Sequence, residues 1–531
     1  MASSTEFSYV LIVVFAMASI ACWPVEANLE GVVPTAEYLT VGGLTFGLNL
    51  SSPSYLEELN VTKSDFPTDF AFGVGTSAGQ VEGAAREFGR GPSTWDHRVD
   101  TLPDIQIMKD LGVDSYRFSI SWSRILPNGS LSGGINQQGV DHYNSLIDEL
   151  IKNGIKPFVT ILHFDLPQAL EEKYGGYLNR SFVNDFKDYS ELCFKLFGDR
   201  VKNWFTINEP SIPAVYGYEV GIAPPGKCSL QDDICVFGSS EKCFVPVGPC
   251  KFGGNSSTDP YIAAHNQILA HATAAKLYKE KYQAQQNGEI GIVLVSRYYV
   301  PFSESQEDKA AAERLFEFNL GWFMDPFVYG DYPKSMKELV KERLPTFSPE
   351  EKILIKGSLD FVGINYYKST YARHKAPAKE LRYTNDVSAE EIGIKNGIFL
   401  GLDPRGHWPE GFQKLMEHIK EKYQNPKIYI TENGLSTERN DALGLADQLK
   451  DPERIAYIVR HLYRLNKAIK NGVNVKGYFC WALFDDFEWG MGFLDRFGLY
   501  HIDLIHNYNR MPKLSATWFK AFLQSNVNRA S

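Results

Sequence analysis

Eight short runs of strand-forming residues alternate with amphipathic stretches along this 531-residue chain, and that alternation limits its fold more than any other feature. The runs occupy residues 70–74, 115–122, 157–164, 201–207, 291–295, 361–367, 427–431 and 475–483. They are rich in β-branched and aromatic residues and nearly continuous in apolar character, as strands covered on both faces must be. Between them, residues 140–153 place Tyr143, Leu146, Ile147, Leu150 and Ile151 on one helical face. Residues 182–197 do the same with Phe182, Phe186, Tyr189, Cys193 and Phe197, and residues 410–423 and 454–469 follow suit. Strand–helix alternation predicts a parallel sheet. Eight strands, several ending in polar residues, fit an α/β fold of one (β/α)8 TIM barrel better than an open sheet. The chain exceeds the roughly 250 residues of a typical barrel, so long βα loops are expected, above all after the fourth, fifth and sixth strands. No linker or internal repeat divides it.

Two of the strands end alike. Ile428-Tyr-Ile-Thr-Glu-Asn-Gly434 and Asn203-Trp-Phe-Thr-Ile-Asn-Glu-Pro210 each run from apolar residues into a polar residue, a glutamate and a turn-former. A buried carboxylate is costly unless paired or used. One strand-terminal Glu has an ordinary explanation, a side chain reaching water; Glu209 and Glu432 together suggest paired acid chemistry. Barrel chemistry sits where strands end, which adds Gln80, Glu82, Arg117, His163, Asp165, Asn208, Asn365, Tyr367, Asn433, Trp481, Asp485, Asp486, Glu488 and Trp489 as candidates. Singly, most have structural explanations: His163 as a core histidine, Arg117 as a counter-charge, Trp481 and Trp489 as core. Collectively they describe carboxylates, amides and aromatic faces, the groups that recognise a sugar. Two carboxylates at such a site point to glycosidic bond cleavage, with retention if they stand about 5–5.5 Å apart. No phosphate-binding loop, nucleophile elbow, dinucleotide fingerprint or metal-ligand spacing is present, so neither cofactor nor metal is expected. The net charge of −10 supplies no footprint for nucleic acid or an anionic membrane.

Residues 1–27 read as a signal peptide: an apolar run at 9–22, too short to span a membrane, precedes the small residues Val25 and Ala27. Residues 28–65 then form an extended lead-in, 66–525 the catalytic barrel and 526–531 a C-terminal tail. Asn49, Asn60, Asn128, Asn179 and Asn255 head N-glycosylation sequons. Cys228, Cys235, Cys243 and Cys250 crowd one Gly/Pro/Ser-rich loop and are expected to form two disulfides, in any of three connectivities. Cys193 and Cys480 read as buried thiols. No second long apolar run, lipidation signal or retention tetrapeptide occurs, so a soluble secretory protein without a membrane anchor is expected.

The motifs themselves are more specific. Phe70-Ala-Phe-Gly73, Gln80-Val-Glu-Gly83, Tyr116-Arg-Phe-Ser-Ile-Ser-Trp-Ser-Arg124, Thr206-Ile-Asn-Glu-Pro210, Asn365-Tyr-Tyr367, Ile430-Thr-Glu-Asn-Gly434 and Phe487-Glu-Trp489 occur in family order. With them the chain resembles glycoside hydrolase family 1, and within it the plant-type secreted β-glucosidases, over residues 66–522. The resemblance implies that Glu209 is the general acid/base and Glu432 the nucleophile, acting on a small-molecule β-glucoside. It implies that Tyr367 and Arg117 position Glu432, that Gln80, His163, Asn208 and Glu488 bind sugar hydroxyls, that Trp481 lies under the ring with Trp489 beside Glu488, and that Asn365 supports the pair. It also implies an apoplastic, extracellular or vacuolar destination. A sugar-binding protein without activity and a transglucosidase are the alternative readings of the same residues. Three positions depart from the family pattern: Phe164 stands where Trp is usual, the 401–411 loop is short, and only His97 to Pro103 stands between Asp96 and Asp104, where a longer block covers the first barrel unit. The last departure implies weakened barrel packing and a lost wall at the mouth.

Overall fold

The computed structural model describes residues 35–525, apart from 42–43, 51–52, 84–86, 94–104, 231–233, 240–241, 248–249, 251, 402–405 and 505–507. Eight parallel strands close into a barrel: β1 (Ala71–Gly75), β2 (Ser115–Ser119), β3 (Lys156–Leu162), β4 (Asn203–Asn208), β5 (Glu289–Val295), β6 (Phe361–Asn365), β7 (Ile428–Asn433) and β8 (Val475–Cys480). Every one coincides with a run expected from sequence, and neighbours in the chain are neighbours in the barrel. The ends differ. Expected strand 115–122 stops at Ser119, because residues Trp122–Ile125 turn into a short helix whose indole donates to Gly129 O at 3.1 Å. Conversely β7 extends to Asn433, so Glu432 lies within the strand rather than in the turn after it. Gly434 ends that strand because the chain passes under Trp481: a Cβ there would stand 1.8 Å from the Trp481 carbonyl oxygen.

Around the barrel run α1 (Ile105–Leu111), α2 (Gln137–Lys152), α3 (Ser181–Phe197), α4 (Asp259–Lys281), α5 (Gln306–Phe316), α6 (Pro409–Lys422), α7 (Pro452–Lys470) and α8 (Leu514–Gln524), with shorter helices in the long loops. The face predicted for α2 is the one buried, except that Ile151 is 43% exposed. Helix α1 has seven residues where α2, α3 and α4 have 16, 17 and 23. The block between Asp96 and Asp104 lies outside the described residues. What α1 does cover is well packed: Met108 and Leu111 are fully buried, and α8 lies against it, with Phe522 meeting Phe72 of β1 edge-on at 5.7 Å. The barrel closes despite the short unit.

Residues 35–60 are not simply extended. Thr35–Val41 and Leu44–Leu50 pair antiparallel, and a 3-10 helix, Pro53–Asn60, follows. Both pack on α7, where buried Glu58 takes ion pairs from Arg460 and Arg464.

The barrel interior is an aromatic layer. Phe158 meets Phe479 edge-on at 4.9 Å and Tyr429 at 5.3 Å, while Phe205 and Tyr429 meet Phe361 at 5.1 and 5.2 Å. Gly73 leaves the room this layer needs, since a Cβ there would sit 2.4 Å from the Phe479 ring. Such side-chain layers fill a barrel of eight strands and give it a solid floor.

Among the described residues one disulfide, Cys228–Cys250, closes the loop after β4; the expectation of a second, on Cys235 and Cys243, falls on side chains outside the description. Those two belong to antiparallel strands, Ile234–Ser239 and Lys242–Val247, whose side chains are outside the description. Cys193 and Cys480 are buried thiols. Among the described residues no helix is long and apolar enough to cross a membrane, and no group of three or more His, Cys, Asp or Glu could hold a metal ion.

Candidate active site

Arg117, at the middle of β2, is fully buried and stands 5.6 Å above the Phe205 ring of the aromatic floor. A guanidinium there must spend its charge locally. Its Nη1 donates to Glu432 Oε1 at 2.6 Å and its Nη2 to Asn208 Oδ1 at 2.7 Å. The Tyr367 hydroxyl donates to the other Glu432 oxygen, also at 2.6 Å. From β6, Asn365 Nδ2 donates to Glu209 Oε1 at 2.6 Å and to Asn208 Oδ1 at 3.3 Å, and its own Oδ1 accepts from Thr431 at 2.6 Å. The barrel register makes this possible: Asn365 pairs with Glu432 across β6 and β7, after a shift between Ile364 and Asn365. Four strands thus tie the two carboxylates into one network.

The two carboxylates have opposite surroundings. Glu432 receives a guanidinium and a phenol. Glu209 receives one amide; burial, and next the charge of Glu432, push its carboxyl up to about 8 against the weaker pull of Asn365 and Arg117. Its backbone lies in the left-handed region, φ +42°, as do those of Phe164 at +69° and Trp489 at +46°. Non-glycine residues held there concentrate at functional sites. Tyr367 is raised well above the usual phenol range by burial and by the two carboxylates, so it stays a donor.

The remaining expected residues cluster beside this pair. His163 accepts from Asn208 Nδ2 on Nε2 at 3.1 Å, and burial and Arg117 hold it well below the usual imidazole range, hence neutral. Its ring lies nearly parallel to both Trp481 and Trp489, 5.8 and 5.9 Å away. Gln80 donates from one nitrogen to Glu488 at 3.2 Å and Asp486 at 3.3 Å, and the Trp481 indole stands 3.5 Å from the same Glu488 oxygen. Burial and the neighbouring Asp486 raise the Glu488 carboxyl well above its usual range. Phe164 meets Trp489 edge-on at 5.1 Å, filling the wall without an indole donor.

A cleft of about 1060 Å³ opens over this cluster, lined by His163, Asn208, Glu209, Tyr367, Glu432, Trp481, Glu488 and Trp489. Gln80, Arg117 and Asn365 stand behind that surface, acting through the side chains they bond. Asp485 is scaffolding: although burial opposes its charge, Lys513 at 2.6 Å and His501 hold it at about 2. Glu82 is likewise held at about 2, against burial, by Arg124. Sequence reading missed Arg297, Asn319, Lys368, Tyr383, Thr384 and Glu391, which line the outer cleft. Arg297, two residues past β5, and Lys368, three past β6, follow the same strand-end rule and were legible; the others come from the long loops after β5 and β6 and carry no local signal.

The family model of glycosyl hydrolase family 1 matches residues 62–528. β-Glucosidase 12 of Oryza sativa subsp. indica is 47% identical over 490 residues, covering 87% of this chain and 93% of the relative. A crystal structure of a rice β-glucosidase superposes with a TM-score of 0.81 at 44% identity, covering 88% of this chain and all of that one. A mutant of a rice β-glucosidase, in a covalent complex with Glc, superposes at 0.80 with 43% identity and the same coverage. By sequence over most of its length and by barrel architecture, the chain belongs to glycosyl hydrolase family 1.

Proposed function

We propose that this enzyme is a retaining β-glucosidase in which Glu432 attacks and Glu209 moves the proton. The carrying observation is the asymmetry of the pair. Arg117 and Tyr367 bond both oxygens of Glu432 and fix it for attack, while burial keeps Glu209 protonated at neutral pH. Glu432 adds to the anomeric carbon as Glu209 gives its proton to the departing glycosidic oxygen, which leaves with the aglycone as an alcohol. Esterified Glu432 no longer carries the charge that raised Glu209, so Glu209 then takes a proton from water as that water displaces the ester. Two inversions leave the anomeric configuration retained. The covalent complex with Glc in the related rice enzyme supports the same chemistry. His163, Asn208 and Glu488 provide hydroxyl partners over the Trp481 face, with Gln80 orienting Glu488.

The same reading includes the secretory route, to the apoplast, extracellular space or vacuole, and N-glycosylation. Asn60, Asn128 and Asn255 are exposed, which supports glycan attachment there. The test is a 2-fluoro-glucoside, which traps the glycosyl-enzyme. Peptide mapping is expected to find the label on Glu432, and nitrophenyl glucoside turnover to vanish in Glu432→Ala. A label on any other residue overturns the nucleophile assignment, and absence of turnover in the wild type favours the sugar-binding alternative.

A further inference from the structure

The outer half of the cleft holds one under-used charge. Arg297 Nη1 pairs with Glu391, which also accepts from the Thr370 hydroxyl at 3.2 Å. Among the described residues Nε and Nη2 of Arg297 make no hydrogen bond, and neither is sealed from solvent. A guanidinium can serve two anions on two edges of its plane. Arg297 lines the cleft, and its one bonded carboxylate is that of Glu391. The Arg117 charge is already committed to Glu432, and Glu219, which is not among the lining residues, takes Arg382 and Thr384 on Oε1. In the same cleft Phe164, Ile212 and Trp489 pack together, with Tyr216 and Val295 against them, as an apolar wall. Asn319 also lines the cleft.

Resting on the glucosidase reading above, we infer that this half of the cleft takes an aglycone joining an apolar ring to a carboxylate, with the open edge of Arg297 gripping the carboxylate. A cationic aglycone would meet Glu391 only through Oε1, because Arg297 and Thr370 both bond its Oε2.

The test compares 4-carboxyphenyl with 4-carbamoylphenyl β-glucoside, which differ at the carboxylate but keep the ring. The wild type is expected to favour the acid in kcat/KM by about tenfold at low salt, mostly through KM, as a charge-assisted bond requires. Raising salt to about 0.5 M should erode that ratio while sparing the amide. Arg297→Met is expected to bring the acid-to-amide ratio to about one, whatever it does to each rate, and Arg297→Lys to keep part of the preference. A wild-type ratio at or below one, with the amide still turned over, overturns this inference and leaves the glucosidase reading intact. An unchanged ratio in Arg297→Met overturns it too. Absence of turnover with both compounds and with nitrophenyl glucoside sinks the glucosidase reading, and this inference with it.

Discussion

A carboxyl buried beside another carboxylate gives up its proton late, and for Glu209 that point lies near 8 rather than 4.5. Between those values the folded protein holds a proton that the unfolded chain has lost, so stability falls as pH rises through the window. Glu209→Gln removes this penalty. Its melting temperature is expected to match the wild type near pH 4 and to exceed it by a few degrees near pH 8, while kcat falls by about 10²–10⁴. Thermal melts across pH, with rates on nitrophenyl glucoside, check both halves. Wild-type kcat/KM should decline on its alkaline limb near the same pH, because the acid must be protonated to release the aglycone. Tyr367→Phe deletes the phenol that donates to Glu432 at 2.6 Å. A hydrogen bond to a charged group is worth about 1.5–3 kcal/mol, so kcat is expected to drop about ten- to hundredfold with the fold intact by circular dichroism.

Elements that look incidental in sequence lock the barrel from outside. The 3-10 helix Pro53–Asn60 delivers Glu58 between Arg460 and Arg464 of α7, and Arg460 is 1% exposed. Glu58→Ala removes the buried carboxylate that Arg460 and Arg464 share and is expected to lower stability, read by denaturant unfolding. The composition of residues 28–65 says only that they are mixed and polar. Their hairpin register and their anchor on α7 depend on residues some 400 positions later, as the 402-residue separation of Glu58 from Arg460 shows. The short α1 is a second case. Its inner residues are capped by α8, so a defect near the N-terminal strand is covered by the C-terminal helix. Phe522→Ala, emptying a fully buried site against β1 and Trp518, is expected to lower stability by about 3–5 kcal/mol.

At the scale of the whole molecule, long loops on a closed barrel must be held without loosening the floor. Cys228–Cys250 closes a loop of separation 22 after β4, so opening it with Cys250→Ser is expected to cost about 3 kcal/mol, seen as a lower melting temperature. All eight strands were legible because buried parallel strands are apolar runs whose period is local. So were Glu209 and Glu432, because a polar residue ending such a run is conspicuous. The resemblance implied their division of labour, but its physical cause was not legible. It comes from Arg117, 315 residues before Glu432, and from Asn365, 156 residues after Glu209, contacts that exist only once the sheet has closed. The outer wall with Arg297 and Glu391, 94 residues apart, likewise arises where two loops meet. Sequence alone thus determined where the strands lie and which carboxylates end them, since backbone preference and apolar periodicity act over a few residues. Tertiary structure alone decided which carboxylate is paired, which is kept protonated, and what charge faces the aglycone, because burial and electrostatics depend on neighbours that the chain order does not place side by side.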